Sequence, residues 1–224
     1  MNPFGALSAM AHLPWSRLAV VLLAVVSAMP LGAQGGFRSH NVGFGITLSL
    51  PGDWVADTDA SLTSVREASL AWLRSSGDAR LRGVAGVNEN ALLFRAHDST
   101  QPTNSTNLNV TVGDSDPDVF ARATDTEVGA MVAEICGVFE AQLREVSGAG
   151  GCTSHELITL ENRRILVIYQ SALVPAASLD NRRVVAMFPS SGLLFTLSLS
   201  LRGATYDPAT VRAVLASVRF PEGL

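Results

Sequence analysis

The chain has 224 residues, 47% of them hydrophobic and 16% charged, enough apolar material for one folded domain with an N-terminal extension and too much for global disorder. Its formal charge is −4 and all 16 basic residues are Arg, a bias that fits the codon usage of a GC-rich genome. The lack of Lys excludes Schiff-base and Walker-type lysine chemistry, and an acidic balance without a basic run excludes phosphate-backbone binding, so no nucleic-acid partner is expected.

The chain opens on a leader pattern. Arg17 precedes the apolar run Leu18–Met29, Pro30 and Gly32 break it, and Ala33 offers a small residue before Gln34. That order is the order of a secretory signal, and a run of about 12 residues is short of the roughly 20 needed to span a bilayer. Residues 1–33 are therefore expected to be a signal peptide cut between Ala33 and Gln34, giving a secreted or periplasmic chain with no membrane span. An uncleaved anchor is the alternative, because Leu31 fits poorly two positions before Ala33. No Cys follows the run to carry a lipid. Removing the one Arg of the leader leaves 15 basic against 20 acidic residues, a charge of −5.

Residues 34–41 read as a short linker and 42–221 as a single domain. Phe44, Ile46, Leu48 and Leu50 alternate with small or polar residues, which predicts a strand. Pro51-Gly52-Asp53 turns the chain and Trp54-Val55 starts a second short strand, with Trp54 covering the core. Leu62, Val65, Ser69, Trp72 and Leu73 fall at helical spacing, predicting a helix over 60–75. Residues 79–90 are ambiguous. Strands follow at 91–97 and around Leu108–Val112, separated by a polar loop.

Asp116-Pro117 carries a helix-start signal. The long helix expected over 125–146 sets Val128, Met131, Val132, Ile135, Phe139, Leu143 and Val146 on one face, with Cys136 at its edge. The last third reads as strands at 153–160, 163–174, 184–188 and 193–201. A final helix is capped by Asp207-Pro208, with Val211, Val214, Leu215 and Val218 as its apolar stripe. Ile165–Ile168 and Val184–Phe188 are apolar at both parities, so both faces of these strands are covered. These signals give an α+β fold: a mainly antiparallel central sheet with helices on both faces, an α-β-α sandwich.

The two cysteines, Cys136 and Cys152, flank a Gly-rich bend. In an oxidising compartment an even count suggests a disulfide between them; two unpaired core thiols are the alternative.

The segment GFGITLSLPGDW (Gly43–Trp54) resembles the entry strand of the PsbP-like family. That family also includes DcrB-type periplasmic proteins and a Ran-binding nuclear import factor. The long mid-chain helix, the meander RRILVIYQSALV and RRVVAMFPSSGLLFTLSLSL, and the closing LASVRF (Leu215–Phe220) are similar to the same family. The likeness covers roughly Phe37–Phe220. It implies an α-β-α sandwich and a role in partner binding or assembly. Some photosystem members hold metal ions through His and acidic residues, but no such motif maps onto positions here.

Other motifs have bland readings. Asp114-Ser115-Asp116-Pro117-Asp118 lacks the Gly and the final Glu of a calcium loop and reads as an acidic helix start. His97-Asp98 and His155-Glu156 are the His–carboxylate neighbours of the mature chain, but adjacent strand residues point to opposite faces. Asn162-Arg163-Arg164 and Asn181-Arg182-Arg183 echo each other, yet a hairpin puts the two Arg pairs at opposite ends of the sheet. Asn104 and Asn109 open glycosylation sequons. No nucleophile elbow, zinc-protease motif or phosphate loop is present, so neither a catalytic residue, a metal site nor a cofactor is assigned. The expected function is a non-catalytic exported module binding an envelope or extracellular protein or a small ligand. Two alternatives are a hydrolase or metal-dependent enzyme built on His97 and His155, and a carrier with an apolar cavity between helix and sheet.

Overall fold

The computed structural model describes residues 36–77, 92–101, 106–114, 119–190, 192–203 and 206–221. The leader with its Ala33/Gln34 junction, the ambiguous stretch 79–90, Asn104 and the Asp116-Pro117 signal lie outside the described residues. The unit that carries the fold runs Phe37–Leu224.

Among the described residues the strands are β1 (Arg38–Gly43), β2 (Ile46–Leu50), β3 (Trp54–Ala56), β4 (Leu92–Asp98), β5 (Asn107–Asp114), β6 (Ala149–Leu160), β7 (Arg163–Val174), β8 (Leu179–Ser190) and β9 (Leu193–Arg202). The helices are α1 (Asp59–Ser75), α2 (Val119–Arg122), α3 (Asp125–Glu145) and α4 (Pro208–Ala216). Seven strands form one antiparallel sheet in the order β3-β4-β5-β9-β8-β7-β6, and β1 and β2 form a separate hairpin. The α+β architecture is thus the expected one.

Two-residue periodicity assigns the sheet's faces. On one face Ile165, Val167, Val184, Ala186, Phe188, Phe195, Leu197 and Leu199 are buried beneath a layer made of the β1–β2 hairpin and α4. Ile46, Leu48 and Leu50 supply the hairpin's share, and Val211, Val214, Leu215 and Val218 supply the helix's. On the opposite face Leu166, Ile168 and Val185 pack under Val128 and Val132 of α3 and Phe120 of α2. One outer layer therefore mixes helix and hairpin.

Two expectations are corrected here. Strand β1 occupies Arg38–Gly43 and so takes up the second half of the stretch read as a linker; its sequence RSHNVG shows almost no apolar alternation because β2 and backbone pairing hold it. Phe44 is not a strand residue. It forms with Gly45 the turn after β1, where Gly43, Phe44 and Gly45 all have positive φ, and its half-exposed ring meets Phe195 edge-on at 5.6 Å.

Helix ends follow local chemistry. Thr124 caps α3 by accepting from Glu127 N, while the Glu127 carboxylate accepts from Thr124 N at 2.8 Å, a reciprocal capping box. Asp207 accepts from the N–H groups of Ala209 and Thr210 at 3.0 Å to start α4. These anionic groups face the positive end of a helix dipole, and the hydrogen bonds hold both carboxyls below their ordinary pKa.

Candidate functional site between α1, α3 and the sheet

The sheet face under α3 changes character along its width. At β7 and β8 it is apolar; at β4, β5 and β9 it presents Arg95, His97, Asn107, Asn109, Thr196, Ser198 and Ser200, as the register requires. A polar face cannot seal against a helix as oil-like side chains do. Helix α1 correspondingly buries only Leu73. It is held by discrete polar ties: Arg66 Nη2 donates to Leu92 O at 2.7 Å and Ser76 Oγ donates to Glu145 Oε1 at 2.6 Å. The result is a cavity of about 650 Å³ between α1, α3 and strands β5, β7, β8 and β9. That volume sits within the roughly 300–1,000 Å³ range of small-molecule sites.

Arg183 of β8 lines this cavity. Its Nε donates to Ser198 Oγ at 2.6 Å, and its guanidinium lies 5.5 Å from the centre of the Phe139 ring. Loss of water around the guanidinium brings its pKa down to about 10, so it remains a cation at neutral pH. Arg183 is the one charged residue in the described lining, and no carboxylate there offsets it.

The His–carboxylate pairs singled out in the sequence fall elsewhere. His97 Nδ1 lies 3.0 Å from Asp57 Oδ1, and Arg95 Nη1 lies 2.9 Å from Asp57 Oδ2. A carboxylate only accepts, so His97 donates here. Asp57, whose side chain is 3% exposed, thereby joins the start of α1 to β4, with Ser61 Oγ adding a 3.2 Å bond. No hydroxyl or thiol is hydrogen-bonded to the other His97 nitrogen among the described residues. His155 lies on β6, five strand positions from β4, or roughly 24 Å at about 4.8 Å per strand. The two histidines therefore share no site, which removes the geometric basis of the enzyme alternative. The neighbouring carboxylates are also taken: Asp98 Oδ1 accepts from Thr100, and Glu156 Oε1 accepts from Tyr169 OH at 2.6 Å. Among the described residues no three His, Cys, Asp or Glu side chains gather as a metal site.

The two Arg pairs are apart, but Arg182-Arg183 does not open its strand as expected: Arg163 at the start of β7 reaches Ser190 at 2.7 Å, while β8 already begins at Leu179 and Arg183 lies opposite Gln170, midway along the ladder. Trp54 is buried in the core. Cys136 and Cys152 are disulfide-bonded. Asn109 lies within β5, on the cavity wall. Sequence reasoning missed Asp57 and the inward placement of Arg183. For Arg183 a signal existed: it shares parity with Val185, which packs against α3.

Comparison with solved structures places this architecture. The solution structure of cyanobacterial PsbP (CyanoP) from Synechocystis sp. PCC 6803 superposes with a TM-score of 0.52, covering 87% of this chain and 98% of that one at 14% identity. The fold is PsbP-like. At that identity the likeness carries the fold alone. A crystal structure from Bacteroides thetaiotaomicron VPI-5482 reaches a TM-score of 0.35 at 10% identity, over 85% of this chain and 50% of that chain. No family model and no curated protein sequence matches the chain. Within the PsbP-like sandwich the cavity marks where helix and sheet do not close on each other. No helix among the described residues is long and apolar enough to cross a membrane.

Proposed function

We propose that the protein is an exported, non-catalytic binding module whose ligand site is the cavity between α1, α3 and the polar half of the sheet. The observation that carries this reading is the cavity itself: about 650 Å³, lined on one side by Asn109, Ser198, Ser200 and Arg183 and on the other by Trp72, Phe139 and Leu143. A few convergent polar groups on an apolar wall are the usual composition of a small-molecule site. Export is supported by the leader pattern of residues 1–33 and by the Cys136–Cys152 bond, which belongs to oxidising compartments. The separation of His97 from His155 favours binding over hydrolysis.

The full chain expressed with its own leader and recovered from the export compartment tests this. Intact-mass analysis is expected to show a start at Gln34, and native mass spectrometry a small-molecule adduct that is lost on denaturation. Retention of residues 1–33 on a cytoplasmic product sinks the export half. An adduct-free protein sinks the binding half, and ester hydrolysis that is lost in His97→Ala would favour the hydrolase reading in its place.

A further inference from the structure

The cavity's chemistry is lopsided. Its polar wall carries one cation and, among the described residues, no anion; its opposite wall is mainly aromatic and aliphatic, with Ser69 and Gln142 as its polar members. Ser198 uses the Nε–H of Arg183, and no acceptor among the described residues takes its remaining N–H donors, which form a planar fork suited to two oxygens of one oxyanion. Placing a cation beside Phe139 with no counter-ion is costly unless an anion arrives. Trp72, 38% exposed, stands on α1 where the lining reaches solvent, and Leu143 and Val174 continue the apolar surface inward.

We infer that this cavity binds a small amphiphile, with an oxyanion head on Arg183 and an apolar body against Phe139, Leu143, Val174 and Trp72. The inference rests on the binding role proposed above and adds its ligand class. The Ser200 hydroxyl lies on the same wall as Arg183 and can donate to the head, whereas Asn109 Nδ2 already donates to Asn107 Oδ1 at 3.0 Å. The head and the body are needed together: Arg183 alone is a point of charge on a polar strand, and the apolar wall alone would accept any hydrocarbon.

The test uses the full folded protein and four probes below their micellar concentrations: dodecanoate, dodecyl phosphate, dodecanol and inorganic phosphate. Binding is read by calorimetry and by tryptophan fluorescence. Dodecanoate and dodecyl phosphate are expected to bind at least tenfold more tightly than dodecanol, and inorganic phosphate not at all. In Arg183→Met the dodecanoate affinity falls to that of dodecanol, while dodecanol binding is unchanged. Ser69→Trp, an exposed α1 position on the lining, weakens every amphiphile about tenfold or more and remains informative if Arg183→Met does not fold. Equal binding of dodecanol and dodecanoate overturns the anionic assignment and leaves the cavity's binding role standing. Phosphate binding as tightly as dodecyl phosphate overturns the amphiphile. No uptake of any probe overturns the ligand class, whereas the binding role itself fails only if the exported protein carries no native adduct.

Discussion

Cys136 on α3 is bonded to Cys152 on the edge strand β6, with their Cα atoms 5.7 Å apart and a sequence separation of 16. The bond joins the helix over the sheet to the outermost strand beneath it. Closing a loop of this size contributes about 3 kcal/mol in the chain-entropy account. The paired substitution of both cysteines by Ala is expected to lower the unfolding free energy by about that amount in urea titrations. Hydrogen exchange should show β6 losing protection first. An unchanged midpoint together with unchanged β6 protection would rule the staple out as a stabilising element.

Gly150 of β6 has φ +135, and a Cβ there would run into the carbonyl oxygen of Ser171 on β7. Neither element can move away, because Ser171 is held in the ladder opposite Gly151. Gly150→Ala should destabilise by on the order of 3 kcal/mol through strain and clash together. Gly113, with open space at its Cβ position, is the control, and its Ala variant should melt as the parent does. Equal melting temperatures for the two variants would contradict the geometry.

His40 of β1 faces Phe94 with ring centroids 5.7 Å apart, and its Nε2 is buried with no hydrogen-bond partner. Burial, assisted by the nearby Arg38 charge, holds its pKa below 6.5. The folded state therefore prefers the neutral ring. Its contribution is fully present above pH 6.5 and is lost as pH falls through the lowered folded value. His40→Phe should flatten the decline of stability on the acid side of pH 6.5. Parallel stability curves for the two proteins would exclude His40 as the source.

Tyr169 is pushed up to about 12, first by burial and then by the Glu156 carboxylate that accepts its hydroxyl hydrogen. A group raised in this way stabilises the fold fully below its ordinary value of 10.0, and the contribution disappears as pH rises towards 12. Subtracting the phenolate absorbance titration of Tyr169→Phe from that of the parent isolates this step. Its midpoint is expected near 12 and should move down in Glu156→Gln. A midpoint unaffected by Glu156→Gln would show that the carboxylate plays no part.

Much of the fold was legible because its strongest signals are local. The alternation Phe195–Leu201 became β9, the Asp207-Pro208 pair became the cap of α4, and the two-sided apolar runs of β7 and β8 became strands buried on both faces. Strand β1 was hidden because an edge strand of a two-stranded hairpin needs few apolar residues, and RSHNVG has one large one, Val42. The capping box at Thr124 was overlooked in favour of the more conspicuous Asp116-Pro117 upstream. The cavity was the least legible part. Arg183 reads as turn chemistry after Asn181, and only the register, which sets it opposite Ser200 and within reach of the Ser198 hydroxyl, turns it inward. Asp57 follows the three-residue strand β3, and its partners Arg95 and His97 lie about 40 residues on.

Thr47 and Arg219 exchange backbone hydrogen bonds, Thr47 N to Arg219 O at 3.0 Å and Arg219 N to Thr47 O at 2.8 Å. The early hairpin and the segment after α4 thus lock onto each other across nearly the whole sequence. Strands β6 to β9 can zip together as a meander of sequential neighbours, but the opposite layer has no lid until the residues around Arg219 arrive. A chain lacking those last residues therefore cannot complete this layer, because the Thr47–Arg219 backbone pair and the α4 side chains are its closing contacts.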